Sequence, residues 1–138
     1  MMEDIIKVTK LDYVRLNGII SSIKQFNKEA SKEVSFLETE LTRAKKIDSK
    51  KIGAEFVTMN TQVEIVDMDT NKSMTIRLVY PKDADFKKGN ISILSPLGSA
   101  LLGYKTGSVI SFKVPGGLKK MKICNIVFQP EANGDYTT

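Results

Sequence analysis

Apolar residues recur at helical spacing in the first third of the chain. Two series between residues 11 and 47 advance mostly in steps of three and four, which places their side chains on one face of a helix. The polar stretch from Asn27 to Ser31 separates the two series, and Ser31 is suited to cap the second helix. The pattern predicts a short antiparallel coiled-coil hairpin. Its apolar positions are Leu16, Ile19, Ile20, Ile23 and Phe26, then Val34, Leu37, Leu41 and Ala44.

Several lysines directly follow the second apolar series, which ends at Ala44. We expect Lys45, Lys46, Lys50 and Lys51 in or just beyond the last helical turn, where positive charge interacts favourably with the helix dipole. After Gly53 the apolar period changes from that of a helix to the alternation typical of strands. The change predicts two parts, a helical hairpin over residues 1–53 and a second domain over residues 54–138.

The second part alternates strand-forming runs with turn residues. A first hairpin is predicted over residues 62–68 and 74–80, a short strand over 91–94, and a second hairpin over 109–114 and 119–128 around Pro115-Gly116-Gly117. Ser95 and Pro96 open a short helix through Leu102, because serine caps helices and proline suits the first helical position. The sum is an α+β fold, with one antiparallel sheet and one short helix packed on it.

Composition removes several classes of function. The chain has 138 residues and is 41% hydrophobic, which is enough for one ordinary core. Neither a signal peptide nor an apolar run of about 18 residues is visible, so we expect a cytoplasmic protein. The sequence lacks histidine, which excludes a histidine-based zinc site or catalytic triad. The net charge of +5 is compatible with an anionic partner, but a solvated mixed-charge surface is favoured over direct nucleic-acid binding.

Cys124 is the one cysteine of the chain, so no internal disulfide can form. It lies among alternating strand residues. We expect it to be a small buried hydrophobic residue rather than a nucleophile.

The segment from Ser95 to Gly107, which reads S-P-x-x-x-A-L-L-G-x-x-x-G, and the later Pro115-Gly116-Gly117 resemble the C-terminal domain of Gre-type transcription elongation factors (GreA/GreB). Residues 78–85, residues 129–136 and Met59-Asn60 are similar to one branch of this superfamily, the regulator of nucleoside diphosphate kinase (Rnk). Several motifs in the right order, covering residues 57–136, are more specific than a single glycine pattern.

The resemblance implies an N-terminal coiled-coil hairpin joined to a domain of the FK506-binding-protein (FKBP) type. It also implies a bacterial RNA polymerase as partner, gripped at the rim of its secondary channel. The polymerase contact of the family maps to Ser95 and Pro96, although an acidic residue that precedes them in some relatives is Leu94 here. Lys87 and Lys88 could add long-range attraction. Helix capping alone also explains Ser95 and Pro96.

Cleavage-active relatives carry paired acidic residues at the hairpin tip, where they help to hold a catalytic magnesium ion. This sequence has Glu29 and Glu33 near the predicted tip, but it lacks the family's acidic phrase. The predicted helical hairpin, or arm, is about 24 Å long. The resemblance implies a hairpin about twice as long in those relatives. We therefore expect no catalytic residue, metal or cofactor. Lys24, Lys28 and Lys32 could contact RNA or polymerase, or simply form a solvated face.

Three functions remain open. The first is a non-catalytic polymerase-binding regulator of elongation that competes with Gre-like factors for the same rim. The second is a peptidyl-prolyl isomerase, for which the fold is only an analogy and the chain has no tryptophan to line a pocket. The third is a factor that stimulates transcript cleavage. We expect the first. The protein would then contact nucleic acid only through the polymerase complex, and it would bind neither a membrane nor a small-molecule substrate.

Overall fold

The computed structural model describes residues 6–26 and 34–136. Its N-terminal part contains helix α1, Lys10–Phe26, and helix α2, Ser35–Arg43. Thr9 caps α1, because its Oγ1 accepts the backbone N–H of Asp12 at 3.0 Å. The two predicted helices are confirmed, whereas the loop between them, including the predicted cap Ser31, lies outside the described residues.

Two short strands frame the helices. Strand β1, Lys7–Thr9, precedes α1, and strand β2, Lys45–Ile47, follows α2. They pair in parallel, with Lys7 opposite Lys45. Lys45 and Lys46 lie just beyond the last turn of α2, as predicted, but they belong to a strand, because Ala44 ends the helix in an extended conformation.

The second part is built on a five-stranded sheet. Its strands are β3, Gln62–Asp67, β4, Ser73–Val79, β5, Asn90–Ser92, β6, Val109–Val114, and β7, Gly117–Phe128. Their order in the sheet is β5-β4-β3-β7-β6. Both predicted hairpins are confirmed, but β5 pairs in parallel with β4, so the sheet is mixed rather than wholly antiparallel.

Cys124 is exposed, which corrects the prediction that it is buried. On β7, Met121 and Ile123 occupy the inward positions. Ile65 pairs with Ile123 and the adjacent Glu64 pairs with Asn125. Cys124 is therefore the extra residue of a β-bulge, directed away from the core.

Helix α3, Pro96–Leu101, begins as the sequence predicts. The Ser95 hydroxyl accepts the N–H of Gly98 at 3.0 Å and donates to the carbonyl oxygen of Ser92 at 2.7 Å. After the helix, Gly103 takes a positive φ of 86°, a conformation that favours glycine.

One apolar core joins the two parts of the chain. Leu16, Ile20 and Leu37 from the helices belong to the same buried cluster as Val63 and Ile76 from the sheet. The α+β class is confirmed, while the FKBP type and the division at residue 53 stay predictions. Within the described ranges, no helix is long and apolar enough to span a membrane.

Candidate functional site

A groove opens beside the start of α3, and we call it the α3 groove. It has a volume of about 690 Å³. Ser95 and Pro96 form its edge, Phe36 of α2 lies on one side, and Phe112 and Leu118 of the β6–β7 hairpin lie on the other. The fold thus brings the two predicted contact residues together with three large apolar side chains.

Ser95 and Pro96 differ in what they can offer a partner. Both hydrogen bonds of the Ser95 hydroxyl serve the turn and the helix start. The Pro96 ring is exposed and occupies the first helical position, where it has no N–H to satisfy. Ser95 therefore shapes the site, and Pro96 is the residue of the pair that is free to touch another molecule.

Two apolar side chains of the groove are more exposed than core residues would be. Phe36 is 49% exposed and Leu118 is 65% exposed. The sequence analysis did not identify either residue as a contact candidate, although the position of each in the sequence pattern indicated exposure. Phe36 falls outside the helical apolar series, and Leu118 directly follows the glycine turn of a hairpin. Exposed large apolar residues around a groove are typical of protein interaction sites.

The predicted auxiliary lysines lie elsewhere. Lys87 and Lys88 are exposed in a 3₁₀ turn, Phe86–Lys88, and neither lines the α3 groove. The basic residue that does line it is Lys113, which sequence reasoning did not single out. A role of Lys87 and Lys88 in binding stays a prediction.

A second depression lies on the other side of Leu94, and we call it the α1 cleft. Its volume is about 1100 Å³. Residues of α1, among them Gly18 and Ile19, form one wall, and the segment from Tyr80 to Asp83 forms the other. Leu94 lines both depressions, so the two adjoin at this residue.

A buried carboxylate holds α1 beside this cleft. Asp12 is 1% exposed and accepts the backbone N–H of Met59 at 3.0 Å and the hydroxyl of Tyr80 at 3.4 Å. Burial raises the pKa of Asp12 to about 6, despite the hydrogen bond from Met59. Burial, followed by the charge of Asp12, raises the pKa of Tyr80.

Glu29 and Glu33 at the predicted tip lie outside the described residues, as do Lys28 and Lys32. Residues 6–26 and 34–136 contain no group of three or more acidic or cysteine side chains that could hold a metal ion. Lys24 forms an ion pair with Glu38 of α2 at 2.5 Å. This pair joins the two helices on an exposed surface.

Comparisons with known proteins agree on one family. Residues 52–128 match the family model described as Transcription elongation factor, GreA/GreB, C-term. The transcription elongation factor GreA of Bradyrhizobium diazoefficiens is 40% identical over 93 residues, which cover 67% of this chain and 59% of that protein. The GreA of Thermodesulfovibrio yellowstonii is 32% identical over 121 residues, covering 83% of this chain and 77% of that protein.

A solved structure of a related protein is also similar to this chain in fold. The prokaryotic transcription elongation factor GreA/GreB from Nitrosomonas europaea has a TM-score of 0.72 and 35% identity, and the match covers 89% of this chain and 99% of that one. The chain nevertheless spans only 59% of the length of the Bradyrhizobium relative. None of these proteins carries the Rnk name, so the assignment to that branch stays a prediction.

Proposed function

Because the chain belongs to the GreA/GreB family of transcription elongation factors, we propose that it binds RNA polymerase through the α3 groove and regulates elongation without cleaving RNA. The observation that carries the proposal is the position of Pro96, exposed at the edge of a groove between Phe36 and Leu118. Apolar and aromatic side chains grouped around a pocket are the usual centre of a protein interface.

The proposed dock is the rim of the polymerase secondary channel, in the cytoplasm where the polymerase acts. The residues at the groove favour a contact that is mainly apolar. Leu94 stands where some relatives have an acidic residue, so that position supplies no charge. We expect the apolar part of the groove contact to depend weakly on salt, and any contribution from Lys113, Lys87 and Lys88 to weaken as salt shortens the Debye length.

The length of the arm supports a role without cleavage. Helix α1 has 17 residues. At 1.5 Å per residue it is about 25 Å long. Cleavage factors are expected to have arms about twice that length, so carboxylates at this tip would stop short of the active centre. Backtracked elongation complexes with magnesium test this: transcript shortening faster than polymerase achieves alone would contradict it.

Phe36→Ala tests the docking surface, with Phe86→Ala as its matched control. Both phenylalanines are exposed, at 49% and 83%, but only Phe36 lines the groove. We expect Phe36→Ala to weaken polymerase binding by about tenfold or more, as loss of a central aromatic contact does. Phe86→Ala should bind like the parent. Equal affinities for both variants, measured on purified polymerase, would place the dock elsewhere.

Pro96→Ala provides a second variant with little effect on folding. Alanine is accepted at the first helical position, so the melting temperature should change little while polymerase binding weakens. Ser95→Ala would be less informative, because loss of the cap costs about 0.5–2 kcal/mol of stability. Addition of a Gre-type cleavage factor should displace the protein from polymerase; simultaneous binding of both would contradict a shared rim.

A further inference from the structure

Basic charge is concentrated in the segment that forms the β6–β7 hairpin. Residues 105–128 contain five lysines and neither aspartate nor glutamate. The rest of the chain is balanced, because it holds the other 16 of the 21 basic residues and all 16 acidic residues. The whole net charge of +5 therefore belongs to this one segment, a pattern typical of a surface that meets an anionic partner.

The fold places most of these lysines on the exposed face of the hairpin. On β7, Lys120 and Lys122 point to solvent because they alternate with Met121 and Ile123, which are buried in the core. Exposed residues of β6 lie opposite them across the pair of strands. We call this surface the basic face. It consists of Val109, Ser111, Lys113, Lys120 and Lys122.

Acidic side chains do not neutralise the basic face. Asp67 forms an ion pair at 2.6 Å with Lys119, which points to the other side of β7. Within the part of the chain that the structure describes, the three lysines of the basic face have no ion-pair partner. Glu64 on the adjacent strand β3 lies opposite Asn125, further along β7. Three exposed ammonium groups therefore remain available to an anion.

We propose that the basic face binds the phosphate backbone of double-stranded DNA. Lysine binds phosphate as a point charge, and the hydroxyl of Ser111 is a donor of the kind that contacts phosphate oxygens. A protein partner fits less well, because protein interfaces are depleted in lysine. Contacts to phosphates carry no sequence information, so we expect binding without sequence preference. Net charge alone favoured a solvated surface, because it does not show that the lysines lie on one face.

The aromatic residues of the hairpin favour a duplex over a single strand. Proteins that bind single strands stack the bases on exposed aromatic side chains. Here Phe112 is half-buried against the core, and the guanidinium of Arg77 covers the ring of Phe128 at 5.5 Å. A two-stranded β-ribbon also fits the major groove of B-DNA, whereas the major groove of duplex RNA is deep and narrow. The shape of the hairpin therefore favours DNA among the duplexes.

A double variant, Lys120→Gln with Lys122→Gln, tests the proposal. Its matched control is Lys87→Gln with Lys88→Gln, which removes two exposed lysines from the turn before β5, at the opposite edge of the sheet. Fluorescence anisotropy of a labelled DNA duplex, without polymerase and over a series of salt concentrations, measures binding. At about 50 mM salt we expect the first variant to bind about tenfold or more weakly than the parent. Its plot of log affinity against log salt should be shallower by about 2, since each lost phosphate contact contributes about 0.9.

The control should bind DNA like the parent, and circular dichroism should show the same fold for all three proteins. Four results would overturn the proposal: no salt-dependent duplex binding by the parent, parent-like binding by the first variant, equal losses in both variants, or tighter binding of single-stranded RNA than of the duplex. The first result would mean a solvated face, and the third an effect of net charge alone. Neither Lys120 nor Lys122 lines the α3 groove, and polymerase is absent, so each outcome leaves the proposed dock untouched.

Discussion

Gly18 and Gly98 both lie within helices, but their surroundings differ. A Cβ on Gly98 would lie 2.1 Å from the carbonyl oxygen of Ser92, which is backbone and cannot move aside cheaply. That carbonyl also accepts the hydroxyl of Ser95, so the close approach belongs to the structure of the site. Gly18 has open space instead.

The two glycines therefore predict opposite effects of alanine. Gly98→Ala should lower the free energy of unfolding by about 1–3 kcal/mol, as overpacking does. Gly18→Ala should raise it by about 0.8–1 kcal/mol, because alanine is the better helix former. Urea denaturation of the two variants beside the parent measures both. A Gly98→Ala variant as stable as the parent would show that the Ser92 turn adapts.

At the scale of single residues, the role of a residue could be predicted from the sequence where that role depended on neighbouring residues alone. Ser95 and Pro96 start a helix because of their own hydrogen bonds and backbone angles. The groove position of Phe36 and the exposure of Cys124 could not be predicted in this way. The role of Phe36 comes from a hairpin more than 70 residues away, and the exposure of Cys124 depends on which face of β7 the sheet buries, the face of Met121 and Ile123.

At the scale of elements, Asp12 fixes α1 to the sheet domain. Its carboxylate is buried and accepts from Met59 and Tyr80, which belong to the second part of the chain. A folded-state pKa of about 6, above the ordinary 3.8, means that the folded protein holds the proton more tightly than the unfolded chain does. Stability from this group is thus fully present below pH 3.8 and is lost as pH rises through about 6.

Asp12→Asn tests this linkage. A shift from 3.8 to about 6 corresponds to about 3 kcal/mol at about 1.4 kcal/mol per pKa unit. We expect the free energy of unfolding of the parent to carry a loss of this order between pH 4 and 7, and Asp12→Asn to lack that part. Urea denaturation at several pH values gives the comparison. Identical pH profiles for the two proteins would contradict it.

Tyr80→Phe provides the complementary control. The Tyr80 hydroxyl donates to the Asp12 carboxylate and so favours its charged form. Removing the hydroxyl should raise the pKa of Asp12 further and make the loss of stability with rising pH larger. A smaller loss in Tyr80→Phe would mean that the hydroxyl does not stabilise the carboxylate.

Elements with a clear period were predictable, and very short ones were not. The alternation of β3 and β4 and the helical spacing of α1 and α2 depend on burial of one face, which the sequence shows directly. Strands β1 and β2 have three residues each, too few to show a period. Their pairing, and the parallel pairing of β5, depend on contacts between distant parts of the chain.

At the scale of the whole molecule, the two parts are more closely joined than the change of period at Gly53 implied. Ile6, Leu16 and Leu41 are each at most 1% exposed and belong to the core shared with the sheet. The backbone N–H of Lys7 donates to the carbonyl oxygen of Gly103 at 3.0 Å. The Tyr104 hydroxyl donates to Glu40 of α2 at 3.2 Å. The helices thus form part of the support for the α3 end of the domain.

We therefore expect residues 54–138, expressed alone, to be much less stable than the full chain. Full burial of a large apolar side chain contributes about 1.5–3 kcal/mol, so uncovering two or three of them removes much of a total stability of about 5–15 kcal/mol. Urea denaturation followed by circular dichroism, with a dye that binds exposed apolar surface, measures the effect. Addition of a peptide of residues 1–53 should restore stability and reduce dye binding. A fragment 54–138 with the free energy of unfolding of the full chain would instead establish the helices as an appendage to an independent domain.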